Sequence, residues 1–210
     1  YACLGWGLLE LYQAGFEPEH LAAALDLTRS MVELFDDGRG GLFDTGHDAE
    51  TPLTRGRSLQ DGAIPSGAAI ATLNLLRLGR LCGDDALYAR GERLLKLNLE
   101  QIGRYPSAYA LHLIALDYAL GPTTEVVLVS GDNGEPPTAL LTELRRRFLP
   151  RTTLLFAHPG EKRLAEIAPA AVGKAPLAGQ PAAWLCRDRT CHPPVTDVSA
   201  LSRLLDEKSP

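Results

Sequence analysis

LLELYQAGFEPEHL (Leu8–Leu21) and LLRLGRLCGDDAL (Leu75–Leu87) share one grammar. Leu8, Leu9 and Leu11 of the first align with Leu75, Leu76 and Leu78 of the second. A tight turn follows each leucine-rich run, and a second helix then begins. Two antiparallel helices joined by a short turn are the helical counterpart of a β-hairpin. Such hairpins cannot bury their apolar faces alone, so they stack on neighbours.

Outward from the first copy, apolar residues fall at Leu21, Ala24, Leu25, Thr28, Met31, Val32 and Phe35, which is helical spacing. Asp26, Arg29, Ser30 and Glu33 take the opposite face. Pro18 suits the first turn of this helix, and Gly38 follows its end. A further helix is predicted over Ser107–Leu120. Tyr109, Leu113, Leu116 and Leu120 form one stripe on it, and Ala108, Leu111, Ala115 and Ala119 another, so it is expected to be buried on several sides.

After Gly121-Pro122 the pattern changes. EVVLVSG (Glu125–Gly131) and TTLLFAHPG (Thr152–Gly160) read as strands, and a third strand covers about Ala182–Cys186. Helices are expected over Thr138–Phe148, ending in Arg145-Arg146-Arg147, and over Val198–Asp206. Two regions follow: residues 1–121 as helical hairpins and 122–210 as a small α/β segment with three strands in a parallel or mixed sheet. The fold class is mostly α. Inner helices with long loops at one end describe a partial α/α toroid, and a plain helical solenoid is the competing arrangement.

With 45% apolar and 22% charged residues the chain has the make-up of an ordinary globular protein. Its net charge of −5 argues against nucleic acid or an anionic membrane as partner. No apolar run is long enough to span a bilayer. The opening YACLGWGLLELYQAG reads as mid-helix and lacks the features of a signal peptide, so the chain is expected to be the C-terminal piece of a longer protein. Its four cysteines do not form a secreted disulfide framework, which makes a cytoplasmic location the expectation.

Four motifs stand in order: DGAIPSG (Asp61–Gly67), RYPSAY (Arg104–Tyr109), GPTTEVVLVSG (Gly121–Gly131) and CRDRTCHPPVTD (Cys186–Asp197). Together they resemble the C-terminal part of the YyaL-like, spermatogenesis-associated thioredoxin-domain proteins, over nearly all of the chain. The resemblance implies an α/α barrel of the six-hairpin glycosidase type, similar to that of N-acylglucosamine 2-epimerases. It also implies an N-terminal thioredoxin-like domain as partner, and a carbohydrate-like small molecule as ligand. Where members often read PSGN, this chain has Ala68 after Gly67, so a polar side chain is absent there.

Candidate chemistry gathers at the lip of this expected cavity. Asp61 is a candidate general acid or base; equally, Asp61-Gly62 makes a turn, with Ser66 capping the following helix. Arg55, Ser66, Tyr105 and Tyr109 are candidate ligand-binding residues. The two tyrosines share a face if helical phase starts by Tyr105, and core packing is the alternative for both. His112 sits in an apolar helix, either as a buried neutral ring or as a cavity-lining acid–base group.

The loop Gly40–Leu59 is expected to form a β-hairpin over the cavity mouth. It carries Asp44, His47, Asp48 and Glu50, whose spacing matches neither an EF-hand nor a zinc motif, so no metal is expected. Arg55 is the arginine expected to point inward, with Arg57 beside it as a partner for an anionic sugar or for Asp61. Gly131-Asp132-Asn133-Gly134 reads as a turn rather than a phosphate cradle, and no cofactor is expected. Cys186 and Cys191 are open to three readings: a structural pair, a reversible disulfide, or two ligands of an incomplete metal site. The expected function is binding or processing of a carbohydrate-like ligand, with a non-catalytic docking platform as the alternative. The isolated fragment is expected to be inactive.

Overall fold

A computed structural model describes residues 1–50, 53–187 and 190–207. The chain is mostly α-helical with a C-terminal α/β segment. It divides into two compact units. One holds residues 1–80 and 84–120; the other holds residues 81–83 and 121–210. No described helix is long and apolar enough to cross a membrane.

The helical unit opens with α1 (Ala2–Gly15) and α2 (Pro18–Phe35). Phe16 ends α1 in the left-handed region at φ 61°, and its amide donates to Tyr12 O at 2.6 Å. Two residues then suffice to reverse the chain, because Pro18 starts α2 where a missing amide costs nothing. Leu9, Tyr12, Leu21 and Ala24 are fully buried between the two helices and their neighbours.

The second hairpin pairs α3 (Gly67–Leu81) with α4 (Asp85–Arg104). Asp84 caps α4, accepting from the amides of Ala86 and Leu87 at 3.1 Å each. It also accepts from Arg29 at 3.0 Å, which ties α2 to the start of α4. The helices approach closely where side chains are absent. A Cβ on Gly79 would meet Tyr88 N at 2.7 Å, and one on Gly91 would meet Leu76 Cγ at 2.9 Å. Buried Asn74 donates to Ala2 O at 2.9 Å and joins α3 to α1.

A short 3₁₀ turn (Pro106–Ala108) precedes α5 (Ala110–Leu120). The helix therefore starts later than the sequence suggests, because Pro106 sets the turn and restricts Tyr105 before it. Leu111, Ala115 and Tyr118 of α5 pack with Ala69, Ile70, Leu73, Leu76 and Leu95 in one core.

The loop between the hairpins is not the β-hairpin expected. Among its described residues it holds a single bridge, Asp36 to Leu42, and no strand. Side chains shape it instead. Asp37 accepts from the amides of Arg39 (2.7 Å) and Gly41 (2.8 Å), and Asp44 accepts from Ser58 N (2.9 Å) and Ser58 Oγ (2.8 Å). Carboxylates that satisfy local amides offer the backbone an alternative to a ladder.

The second unit is built on a four-stranded mixed sheet in the order β2-β1-β3-β4. β1 (Thr124–Val129) lies parallel to β2 (Thr152–Ala157) and antiparallel to β3 (Ala182–Arg187). β4 (Thr190–Cys191) adds a fourth strand where three were expected; two residues are too short a run to show a period. α6 (Thr138–Arg145) and α8 (Val198–Asp206) cover one face, where Leu140, Leu144 and Leu201 pack on Val126, Leu128, Ala183 and Leu185. α7 (Lys162–Ile167) lies between β2 and β3 in the chain. α6 stops three residues short of Phe148, and its last turn is held by Arg147, which pairs with Glu143 and with Asp206 of α8, both at 2.6 Å.

Candidate functional site

Asp61 sits at the end of the inter-hairpin loop, partly buried. Its amide donates to Ala108 O at 2.9 Å. Its carboxylate accepts from Ser66 N and from Leu111 N, each at 2.8 Å. Ser66 leads into α3, and Leu111 lies in the first turn of α5. One carboxylate thus serves the positive ends of two helices, where unsatisfied amides and the helix dipole both favour a negative charge. Ser66 completes the cap: its Oγ accepts from Ala69 N at 3.2 Å and donates to Leu59 O at 2.9 Å.

His112 follows Leu111 directly in α5. It is 0% exposed, and neither ring nitrogen has a hydrogen-bond partner. Burial holds its pKa below the ordinary value, and the negative charge of Asp61 opposes that shift without cancelling it. The ring is neutral at pH 7. The edge of Tyr109 packs against it, with centroids 5.7 Å apart.

The tyrosines part company. Tyr109 is buried and its hydroxyl lies 3.2 Å from Gln101 Oε1, while Tyr105 precedes the helix and is 60% exposed. They do not share a helix face. Arg55 turns toward the loop: its guanidinium stacks 4.1 Å over Phe43 and donates from Nε to Thr45 O at 3.1 Å. Arg57 lies 2.8 Å from Asp37, whose side chain is fully buried. Burial opposes ionisation of that carboxyl. The amides of Arg39 and Gly41 and the charges of Arg57 and Arg90 outweigh it and hold the pKa below the ordinary carboxylate value.

A groove of about 690 Å³ opens between the loop and α4. Arg57, Ser58 and Gln60 line one side, and Asn98 and Gln101 the other, with Leu97 and Tyr109 completing it. Of the candidates read from sequence, only Tyr109 and Arg57 reach it. Asn98 and Gln101 were missed. Asn98 stands in the buried stripe of α4, Leu87, Gly91, Leu94, Leu95 and Ile102, and a lone amide in such a stripe is the signal that marks it. A smaller apolar pocket of about 230 Å³ is lined by Met31, Phe35, Leu42, Phe43, Gly67, Ala68 and Ala71, among others. Ala68, the departure from PSGN, keeps that wall apolar.

Among the described residues no cluster of His, Cys, Asp and Glu is arranged to hold a metal. In the second unit, Cys186 and Cys191 form a disulfide between β3 and β4. Cys3 and Cys82 carry thiols and not disulfides, the first exposed and the second buried.

No family model matches the chain. It is 30% identical to spermatogenesis-associated protein 20 of Homo sapiens over 212 residues, covering 98% of this chain and 26% of that protein. The mouse protein of the same name is 28% identical over 99% of the chain, as is an uncharacterised protein of Caenorhabditis elegans. The chain spans about a quarter of the length of these relatives. Along nearly its whole length, this chain is a homologue of one stretch of spermatogenesis-associated protein 20.

Proposed function

We propose that the helical unit binds a polyhydroxylated, carbohydrate-like small molecule in the groove between the inter-hairpin loop and α4. One observation carries the reading. Arg57, Ser58, Gln60, Asn98 and Gln101 converge on a single groove of about 690 Å³, beside the Tyr109 hydroxyl. Amides, hydroxyls and a guanidinium supply donors and acceptors for sugar hydroxyls, and Leu97 supplies an apolar wall for a ring face.

Asp61 and His112 are not among the residues that line this groove. The Asp61 carboxylate is engaged by two amides, and His112 is sealed from solvent, so neither is placed to exchange a proton with a ligand in the groove. Arg55 and Ser66 act one step back, shaping the loop and starting α3. The same reading takes the hairpins as part of an α/α toroid in a longer protein that carries a thioredoxin-like domain. Binding, not turnover, is the proposed role of this region.

The test is calorimetric titration of the protein with neutral, amino and N-acetylated monosaccharides. The expected result is millimolar or tighter binding of at least one class, lost about tenfold on Gln101→Ala. Absence of heat for every class, or equal affinity in the variant, defeats the proposal.

A further inference from the structure

Cys186 and Cys191 are directly opposite one another across antiparallel β3 and β4, which places their sulfurs within bonding reach. The two half-cystines differ in exposure and in the charged residue beside them in the fold. Cys186 is 5% exposed, and its partner on the other side of β3 is Glu125 of β1, an acid. Cys191 is exposed, and the Lys174 ammonium donates to its Sγ at 3.5 Å.

Lys174 is held there by more than the sulfur. Its Nζ lies 4.6 Å from the centre of the Trp184 ring. Trp184 shares a face of β3 with Cys186, and its indole donates to Ala175 O at 3.0 Å. The indole therefore anchors the segment that carries the lysine, and cation–π attraction fixes the ammonium over the strand. An accessible sulfur beside a fixed cation, bonded to a buried sulfur beside an acid, is the asymmetry of an exchange centre, with one reactive and one resolving thiol. A structural staple requires none of it.

We propose that the Cys186–Cys191 disulfide is a thiol–disulfide exchange site that takes electrons from a dithiol, with Cys191 as the sulfur attacked. A thiolate of the dithiol attacks Cys191 Sγ. The Sγ–Sγ bond breaks, and its electron pair leaves on Cys186, which takes a proton from water. The second thiolate of the dithiol then attacks its own sulfur in the mixed disulfide. Cys191 leaves as a thiolate beside Lys174. The dithiol is oxidised to a disulfide, and the protein gains two electrons. In reverse, the Cys191 thiolate reduces a disulfide.

The experiment uses Cys186→Ser, with iodoacetamide labelling of Cys191 followed from pH 5 to 10 and located by peptide mass spectrometry. The expected labelling midpoint lies below the ordinary thiol value of about 8.5. Adding Lys174→Met is expected to raise it by about one pH unit, a tenfold loss of thiolate near neutrality. In the otherwise unchanged protein, dithiothreitol is expected to open the disulfide without denaturant, and roughly threefold more slowly in Lys174→Met. This second measurement stands if Cys186→Ser does not fold. A midpoint at the ordinary value that ignores Lys174, or a disulfide reducible only in denaturant, makes the pair a structural staple and overturns the proposal.

Discussion

Asp61 Oδ2 accepts a hydrogen bond from Leu111 N at 2.8 Å, from a residue fifty positions further along the chain. The other oxygen of the same carboxylate holds Ser66 N. The start of α3 and the start of α5 are therefore locked to one side chain. This makes Asp61 a structural element of the hairpin core.

Asp61→Ala leaves two helix-start amides without their acceptor. A loss of about 2–3 kcal/mol is expected, from roughly 1 kcal/mol per cap plus desolvation of the orphaned amides. Asp61→Asn keeps one acceptor oxygen and is expected to lose about half as much. Urea unfolding followed by circular dichroism measures both, and equal stability of all three proteins refutes the clamp.

His112 gives the helical unit an acid-sensitive term. Its folded pKa lies below the unfolded value of about 6.5. The unfolded chain therefore binds a proton that the folded chain refuses. Stability is full above about pH 6.5 and falls as pH drops toward the folded pKa. His112→Leu removes that slope. Urea midpoints between pH 7.5 and 5 are expected to converge for the variant relative to the parent; parallel curves contradict the assignment.

Asp37 adds a second slope at lower pH, with the sign of a carboxyl. Its folded pKa is depressed, so its contribution is present above about pH 4 and is lost as pH falls through the folded value. Asp37→Ala frees Arg57 and the Arg39 and Gly41 amides at once. The expected readouts are a loss of about 2 kcal/mol in urea unfolding and faster hydrogen exchange in the loop around residues 39–41. Unchanged exchange contradicts the role.

Two glycines in helices separate close packing from backbone entropy. Gly79→Ala drives a methyl into the Tyr88 backbone nitrogen at 2.7 Å and is expected to cost about 2 kcal/mol or more. Gly7→Ala, in α1 with nothing within 4 Å, is expected to gain about 0.5–1 kcal/mol. Thermal melts of the two variants are expected to move in opposite directions. A shift in the same direction rejects the close approach of α3 and α4.

The helices were legible because their evidence is local. Leu21 to Phe35 shows its apolar face at every turn, Pro18 and Gly38 bracket it, and α2 runs over Pro18–Phe35. β1 and β2 were legible for the same reason, as short β-branched runs between glycines and prolines. Where the local signal was equivocal the reading drifted. Tyr105 and Tyr109 have helical spacing, yet Pro106 inserts a 3₁₀ turn between them and leaves one ring in solvent. In the loop after α2, Leu42-Phe43 and Leu53-Thr54 flank a polar turn as in a hairpin, yet Asp37 and Asp44 bind its amides and no ladder forms among the described residues.

By itself, then, the sequence determined the order of the longer helices and of β1, β2 and β3, but not α7 or β4, because propensity, capping and apolar period act over a few residues and the two short elements hold too few. Only the tertiary structure decided what those elements bring together. It set Asp61 on the Leu111 amide, Arg57 on Asp37, Gln60 across from Gln101, and the Lys174 ammonium on the Cys191 sulfur. Each of these contacts joins residues 17 to 50 positions apart, and no period along the chain encodes such a meeting. Partners of a polar side chain are chosen by whichever buried donors and charges the packed helices leave unsatisfied, and that remainder exists only after packing.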